Sequence, residues 1–242
     1  MKLRYFQRGF NYSQDGPGNR LVYHLQGCNL HCPWCSNPEG MSLTAIASES
    51  PISDIVAEII SCMPMFWDGG GVTFTGGEAS LQTDALYTVM KEVKEKGVST
   101  AIETNATVSG IEKLASVCDF FMIDFKHPDA EKLKAVTGGD VDVIKNNIIT
   151  LSKIAPLHLR IPLIHGFNDD SKALCGFTEF FSKLKYEGAE FDIELLPYHE
   201  FGKEKWQKCN MEYTVTDGFV NSETVKKFID EFKKHGFTVI RT

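Results

Sequence analysis

The chain has 242 residues, 43% of them hydrophobic, enough for one substantial core and within the range where α/β barrels remain single domains. A formal net charge of −7 opposes nucleic acid as a substrate, because such binders gain affinity by neutralising phosphates with clustered Lys and Arg. No stretch approaches about 20 apolar residues, and residues 1–8 lack an apolar run of signal-peptide length, so neither a membrane segment nor a leader is expected and the reading is of a soluble, cytoplasmic protein.

Short β-rich runs alternate with amphipathic segments, the pattern of parallel strands joined by crossover helices. Strands are expected at 21–26, 72–75, 99–103, 120–124, 158–162 and 192–197. A helix follows Ser50-Pro51 with Ile52, Val56 and Ile59 on one side. Thr83 is placed to cap a second helix, whose Leu86, Val89, Met90 and Val93 form one buried face before Gly97 stops it. A third uses Val225, Phe228, Ile229 and Phe232 before Gly236. Six strand–helix units are too few for an eight-fold barrel and suit a partial (β/α)6 barrel in one domain, whose functional residues gather at the C-terminal strand ends.

The first of those strand ends carries Gly27-Cys28-Asn29-Leu30-His31-Cys32-Pro33-Trp34-Cys35. Seven cysteines is an odd number for a disulfide framework, and thiolates are soft ligands suited to iron–sulfur clusters or zinc. Three thiols within one loop leave one iron of a cubane without a protein ligand, open to a small-molecule chelate. Two alternatives stand beside this one. A Cys3His zinc knuckle would use His24 or His31, and an electron-transfer cluster would recruit Cys62, Cys118, Cys175 or Cys209 as a fourth ligand. Cys62 and Cys118 sit in apolar patterns typical of core thiols.

Cys28, Cys32 and Cys35, with Trp34 just before the last, resemble the CX3CX2C signature of the radical S-adenosylmethionine (SAM) superfamily. The resemblance implies a 4Fe–4S cluster on the three cysteines, SAM chelated by its open iron, and reductive cleavage to a 5′-deoxyadenosyl radical. Later motifs fit the same family. Gly76-Gly77-Glu78 resembles the motif that holds the methionyl amino group, its glycines allowing close approach to a ligand and its acid accepting from the ammonium. Glu103-Thr104-Asn105 and Met122-Ile123-Asp124-Phe125-Lys126 resemble strand ends at which glycyl-radical-enzyme activating enzymes, in particular the pyruvate formate-lyase-activating branch, contact SAM and hold a monovalent cation. That implies cofactor contacts from Asp124 and Lys126, and a Na⁺ or K⁺ site on Glu103, Thr104, Met122 and Asp124, with Glu103 in place of the family's aspartate. Read without the resemblance, Thr104 or Asn105 would cap a helix and Asp124–Lys126 would be a surface pair.

Glu194-Leu195-Leu196-Pro197-Tyr198-His199-Glu200-Phe201-Gly202-Lys203, followed by Lys205-Trp206, resembles the same branch closely, so His199 is expected against the adenosine. Arg160 in Leu159-Arg160-Ile161-Pro162 resembles a strand arginine near the cofactor, and Trp34 and Asn37 of the cysteine loop are expected to join them. Asp15-Gly16-Pro17-Gly18-Asn19-Arg20 reads plainly as a turn cluster, and it resembles the run by which activases meet the glycyl loop of a partner. Asp15, Gly16 and Gly18 are therefore expected at a partner interface. Between Cys35 and Gly71 only Cys62 occurs, so one cluster and no ferredoxin-like insertion is expected. The implied protein is a monomeric oxidoreductase, a glycyl-radical-enzyme activase supplied with electrons by a flavodoxin or ferredoxin-type donor. A radical SAM enzyme acting on a small molecule or peptide is the alternative within the class, and a non-catalytic redox or zinc module the alternative outside it.

Overall fold

The computed structural model describes residues 1–45 and 47–240. The chain divides into two compact units, the first comprising Met1–Asn29, Glu39–Thr104 and Val108–Met122, the second Leu30–Pro38, Asn105–Thr107 and Ile123–Thr242.

The first unit opens with an antiparallel hairpin, β1 (Lys2–Tyr12) and β2 (Asn19–Leu25), and β3 (Ser48–Pro51) pairs antiparallel with the start of β1. Helix α1 (Ile52–Ser61) carries the chain to β4 (Gly71–Gly76), which lies parallel to β2 with Arg20 opposite Gly71. Helix α2 (Thr83–Lys94) then leads to β5 (Ser99–Thr104), parallel to β4. A 3-10 segment, Ile111–Ser116, replaces the helix before β6 (Phe120–Asp124), and the strand order of this unit is β3-β1-β2-β4-β5-β6. Helix α2 forms because Leu86, Val89, Met90 and Val93 recur on one face, and all four are buried. Its start differs from expectation. Thr83 is the first helical residue rather than the cap, because the 3-10 turn Ala79–Gln82, capped by Glu78, precedes it and Thr83 donates back to the Ser80 carbonyl. On α1 the buried face is Ile52, Ile55 and Ile59, one residue earlier in the middle than the expected Val56.

The second unit takes the end of β6 into α3 (Ala130–Thr137), α4 (Val141–Ser152), β7 (Leu157–Leu163), α5 (Ser171–Tyr186), β8 (Phe191–Pro197), α6 (Lys203–Lys208), α7 (Ser222–Lys234) and β9 (Thr238–Ile240). The order is β6-β7-β8-β9, with β7–β8 and β8–β9 parallel. Asp129, Asp140, Asp170 and Asn221 cap α3, α4, α5 and α7, each side chain accepting from backbone N–H groups of the first turn. The core centres on Phe181, whose ring lies 5.8–6.1 Å from those of Phe125, Phe177, Phe180, Phe191, Phe232 and Phe237. Phe228 and Phe232 are the buried positions of α7, whereas Val225 and Ile229 are only half-buried.

The six expected strands all form, within two residues at each end. Strands β1, β3 and β9 were not expected. In β1 the alternation is confined to Lys2–Phe6, where Leu3 and Tyr5 are buried, and is lost from Gln7 to Phe10, which are all exposed; β3 is four residues long and β9 three, too short to show a pattern.

Phe181 supplies the first quantitative test. Phe181→Ala leaves a void among six rings and is expected to cost about 3–5 kcal/mol in urea denaturation. Phe201→Ala, at a ring 84% exposed, should change stability by no more than about 0.5 kcal/mol.

Candidate functional site

In the first unit, the turn after β1 is organised by Arg20. Its side chain is completely buried, with Nε donating to Thr73 Oγ1 at 2.7 Å, Nη2 to the carbonyls of Val72 at 2.8 Å and Ser99 at 3.1 Å, and Nη1 to that of Pro17 at 3.2 Å. Thr73 Oγ1 in turn donates to the Asp15 carbonyl at 2.6 Å. Burial lowers the guanidinium pKa to about 10, and its partners are mostly neutral oxygens, so Arg20 is a structural cation pinning the turn to the starts of β2, β4 and β5. Gly18 has φ +67°, and a Cβ there would lie 2.4 Å from the carbonyl oxygens of Trp67 and Asp68. Asp15 accepts from the Asn11 side-chain amide.

The Gly76-Gly77-Glu78 turn is stitched to the end of β2. Gly77 N–H donates to Leu25 O at 2.9 Å and Glu78 N–H to Gly27 O at 2.7 Å, while Gly27 N–H donates to Gly40 O at 2.8 Å. A Cβ on Gly76, at φ +109°, would lie 2.4 Å from Leu25 N, and one on Gly77 would lie 2.1 Å from Gly27 O. In this structure the close approach that requires glycine at these two positions is to the protein's own backbone. Glu78 is fully buried; its Oε1 accepts from Ser80 N at 2.9 Å, Ser80 Oγ at 2.5 Å and Thr104 Oγ1 at 2.6 Å. Thr104 thus serves Glu78 rather than a helix cap. Glu103 accepts from Thr75 Oγ1 at 2.5 Å, Met122 is buried, and Cys28, half-buried, donates its N–H to Met41 O at 3.3 Å.

The second unit holds the rest of the cysteine loop. Cys35 N–H donates to Cys32 O at 3.1 Å, closing a turn, and the Asn37 N–H donates to Cys35 Sγ at 3.3 Å. Trp206 Nε1 donates to Cys35 O at 2.9 Å, Lys205 Nζ to Asn37 Oδ1 at 3.1 Å, and a Cβ on Gly202 would lie 2.6 Å from Ser36 Cα. Helix α6 thus clamps the end of the loop so that a sulfur receives an amide proton, the kind of contact that favours thiolate and tunes iron–sulfur centres. Trp34 packs against Phe167 with ring centroids 4.8 Å apart. His199 is exposed and stacked on Phe201 at 4.2 Å.

The strand ends of this unit carry a chain of charges. Asp124 pairs with Lys126 at 2.8 Å and Arg160 at 3.3 Å. Burial works against the Asp124 carboxylate, and the charges of Lys126 and Arg160 outweigh it, so its pKa falls below the ordinary value. Arg160 Nε stands 4.0 Å from Glu194 Oε2, which accepts from His158 Nε2 at 2.9 Å, and His158 Nδ1 contacts Asp192. Asp124 is therefore a half-buried member of an ion-pair network and not the surface half of an Asp–Lys pair. Its negative charge is met by two protein cations, Lys126 and Arg160. Among the described residues no group of three or more His, Cys, Asp or Glu side chains is drawn together as a metal-ion site.

The Radical SAM superfamily model matches residues 22–177. The chain belongs to the radical SAM superfamily. It is 34% identical over 213 residues, 84% of both chains, to a pyruvate formate-lyase-activating enzyme of Staphylococcus aureus strain USA300. Among solved structures, a domain of a pyruvate-formate lyase-activating enzyme from Bacteroides vulgatus aligns with TM-score 0.59 and 25% identity, covering 72% of this chain and 99% of that one. SuiB of Streptococcus suis, bound to its precursor peptide, shares the fold with TM-score 0.68 at 14% identity, over 91% of this chain and 48% of its own. The fold is thus the mixed α/β, partial-barrel class of radical SAM enzymes, a family that uses an iron–sulfur cluster and SAM. No helix among the described residues is long and apolar enough to cross a membrane.

The sequence reading quoted Arg20, Glu194, Lys205 and Trp206 within family-like motifs without giving them a role of their own, and it assigned none to His158 or Asp192. A signal for His158, Asp192 and Glu194 was present. Leu157-His158-Leu159-Arg160-Ile161 and Phe191-Asp192-Ile193-Glu194-Leu195 alternate charged with apolar residues, which places opposite charges on one face of two neighbouring strands. Burial opposes the His158 imidazolium, yet hydrogen bonds to Asp192 and Glu194 and their charges prevail, raising its pKa to about 9. A raised folded-state pKa contributes stability that is complete below the ordinary histidine value of about 6.5 and is lost as pH rises through the folded value. The wild-type chain should therefore lose stability between about pH 6.5 and 9 by urea denaturation, relative to His158→Gln, which lacks the titrating group. Parallel pH profiles for the two proteins would contradict the assignment.

Proposed function

We propose that this chain is a glycyl-radical-enzyme activase, holding a 4Fe–4S cluster on Cys28, Cys32 and Cys35 and abstracting hydrogen from a glycine of a partner enzyme. The observation that carries the reading is the 34% identity, spanning 84% of both chains, to a pyruvate formate-lyase-activating enzyme. The donor set fits the group: three thiols on one loop, a sulfur that receives the Asn37 N–H, and a loop end held by Trp206 and Lys205. The chemistry these cofactors supply when bound is reductive cleavage of the SAM sulfonium to methionine and a 5′-deoxyadenosyl radical, which takes a hydrogen atom from the partner's glycine.

The chain's own residues do the rest. Glu78, fixed by Ser80 and Thr104, presents a carboxylate of settled orientation to the methionyl ammonium beside Gly76 and Gly77. Asp124, Lys126 and Arg160 form a preorganised polar group for SAM, needing little rearrangement on binding because each charge is already paired. Trp34, Asn37 and His199 complete the contacts, His199 through a stacked, exposed ring suited to lie on a base. Asp15, Gly16 and Gly18 meet the partner's glycyl loop on a turn that Arg20 holds rigid. A flavodoxin or ferredoxin-type protein supplies the electron, the activase works as a monomer in the cytoplasm, and Na⁺ or K⁺ beside Glu103, Thr104, Met122 and Asp124 supports activity.

Iron and sulfide analysis with reductive SAM cleavage checks the cluster. Cys32→Ala should bring 5′-deoxyadenosine formation down to background, while Cys62→Ala keeps both the cluster spectrum and the cleavage. With the partner present, electron paramagnetic resonance should show a glycine-centred doublet. Consumption of a small metabolite in step with 5′-deoxyadenosine, without that doublet, would replace the activase reading with a small-molecule one.

A further inference from the structure

Strand β1 runs for eleven residues, but β3 pairs only with its first part, Lys2 to Tyr5. A bulge between Tyr5 and Gln7 follows at once, and bulges sharpen strand twist, which carries the remainder of β1 away from the line of β3. Among the described residues, the strand from residue 8 to residue 12 is paired on one side only, Arg8 opposite Tyr23 and Tyr12 opposite Asn19. In an antiparallel ladder every second residue turns its N–H and C=O away from its partner, so this stretch presents a row of main-chain donors and acceptors outward.

Three further observations distinguish this edge from an ordinary one. Natural edges are blunted by inward charges, lysines or proline. Here the one charge, Arg8, is drawn aside to Glu58 at 2.7 Å and to Tyr5 at 2.8 Å. Gly9 sits in the strand with its would-be Cβ facing open space and no positive φ, so neither packing nor backbone geometry of this chain calls for glycine; glycine inside a strand marks places where another backbone comes close. Beside the edge, Phe10, Tyr12 and Trp67 are 44%, 55% and 47% exposed, with Phe10 against Phe66 at 6.3 Å and Tyr12 donating to Asp68 at 3.0 Å.

A row of backbone groups is satisfied only by another extended backbone, and an aromatic margin on one side selects alternate apolar side chains on it. A second copy of this chain is a poor occupant. Five paired residues span about 17 Å, and the area so buried falls far below the roughly 1,200 Å² of a stable interface. The edge instead runs directly into the turn of Asp15, and Asp68 adds negative charge at that same end.

We propose that residues 8–12 of β1 receive, by strand addition, an extended segment of the glycyl-radical enzyme adjoining its glycine, with apolar residues at alternate positions and a basic residue towards Asp68. This rests on the activase reading and goes beyond it in naming where the partner's main chain docks. The probe is an intact glycyl-radical enzyme from the organism that supplies this chain. Amide hydrogen exchange of the unaltered activase with and without that enzyme should show protection at alternate residues of 8–12. Phe10→Lys should weaken complex formation about tenfold or more while leaving uncoupled SAM cleavage unchanged. Unprotected amides at 8–12 in a complex that still yields the glycyl doublet would overturn the docking proposal and leave the activase reading standing. Protection that grows with the concentration of the activase alone would assign the edge to self-association and overturn it equally. If the wild-type pair yields no doublet, the activase reading fails and the docking proposal falls with it.

Discussion

Charge carried on the face of a strand has to be answered within the chain, because a group removed from water has no solvent to satisfy it and an unanswered buried charge is strongly destabilising. Each unit solves this in its own way, and the two solutions set where chemistry is possible. In the first, Arg20 is wrapped by carbonyls and hydroxyls from β4, β5 and the turn after β1. A guanidinium suits this role because its donors fan out in a plane and reach several acceptors at once. The result is a rigid turn. In the second unit cations and carboxylates alternate from Asp192 through His158, Glu194, Arg160 and Asp124 to Lys126. Such a chain is electrically balanced, and it presents polar groups already fixed in place.

Rigidity of another origin governs the two loops that bear the superfamily's motifs. The Gly-Gly-Glu turn is pressed on Gly27 and Gly40 so closely that no side chain fits between them. The end of the cysteine loop is held by the indole of Trp206 and by Gly202 against Ser36. In both places glycine serves backbone-to-backbone packing, and the glycines position the functional residue instead of exposing it. Glu78 illustrates the consequence: it caps the 3-10 turn and takes Thr104 from the next strand, so its orientation is set before any ligand arrives.

The sequence made the six expected strands legible because each is a short apolar run bounded by turn residues, and α2 legible because its apolar spacing repeats at the helical period. Strand β1 was hidden for a physical reason. Only Leu3 and Tyr5 near its start are buried, whereas Gln7, Arg8, Gly9 and Phe10 are all exposed and held by hydrogen bonding to β2, so the apolar alternation is too short to mark an eleven-residue strand. The 3-10 turn before α2 was hidden because its cap, Glu78, is held partly by Thr104, twenty-six residues away. Contacts of that range are a property of the fold.

The same distinction separates the parts of the candidate site. The cysteine spacing is covalent and local, so eight residues suffice to suggest three ligands whatever the rest of the chain does. The charge chain needed the register of β7 on β8, which brings His158 opposite Asp192 and Arg160 opposite Glu194. Once that register is known, the alternation in each strand becomes informative, because two period-two patterns in phase bring their charges to one face. The open edge of β1 lies furthest from the sequence of all. It is defined by a partner strand that stops at Tyr5, and a missing pairing leaves no pattern in the residues it exposes beyond a glycine that the fold itself does not require. Ligands held by local motifs can thus be named before the fold is known, whereas a surface defined by unpaired backbone appears only once every other strand has been placed.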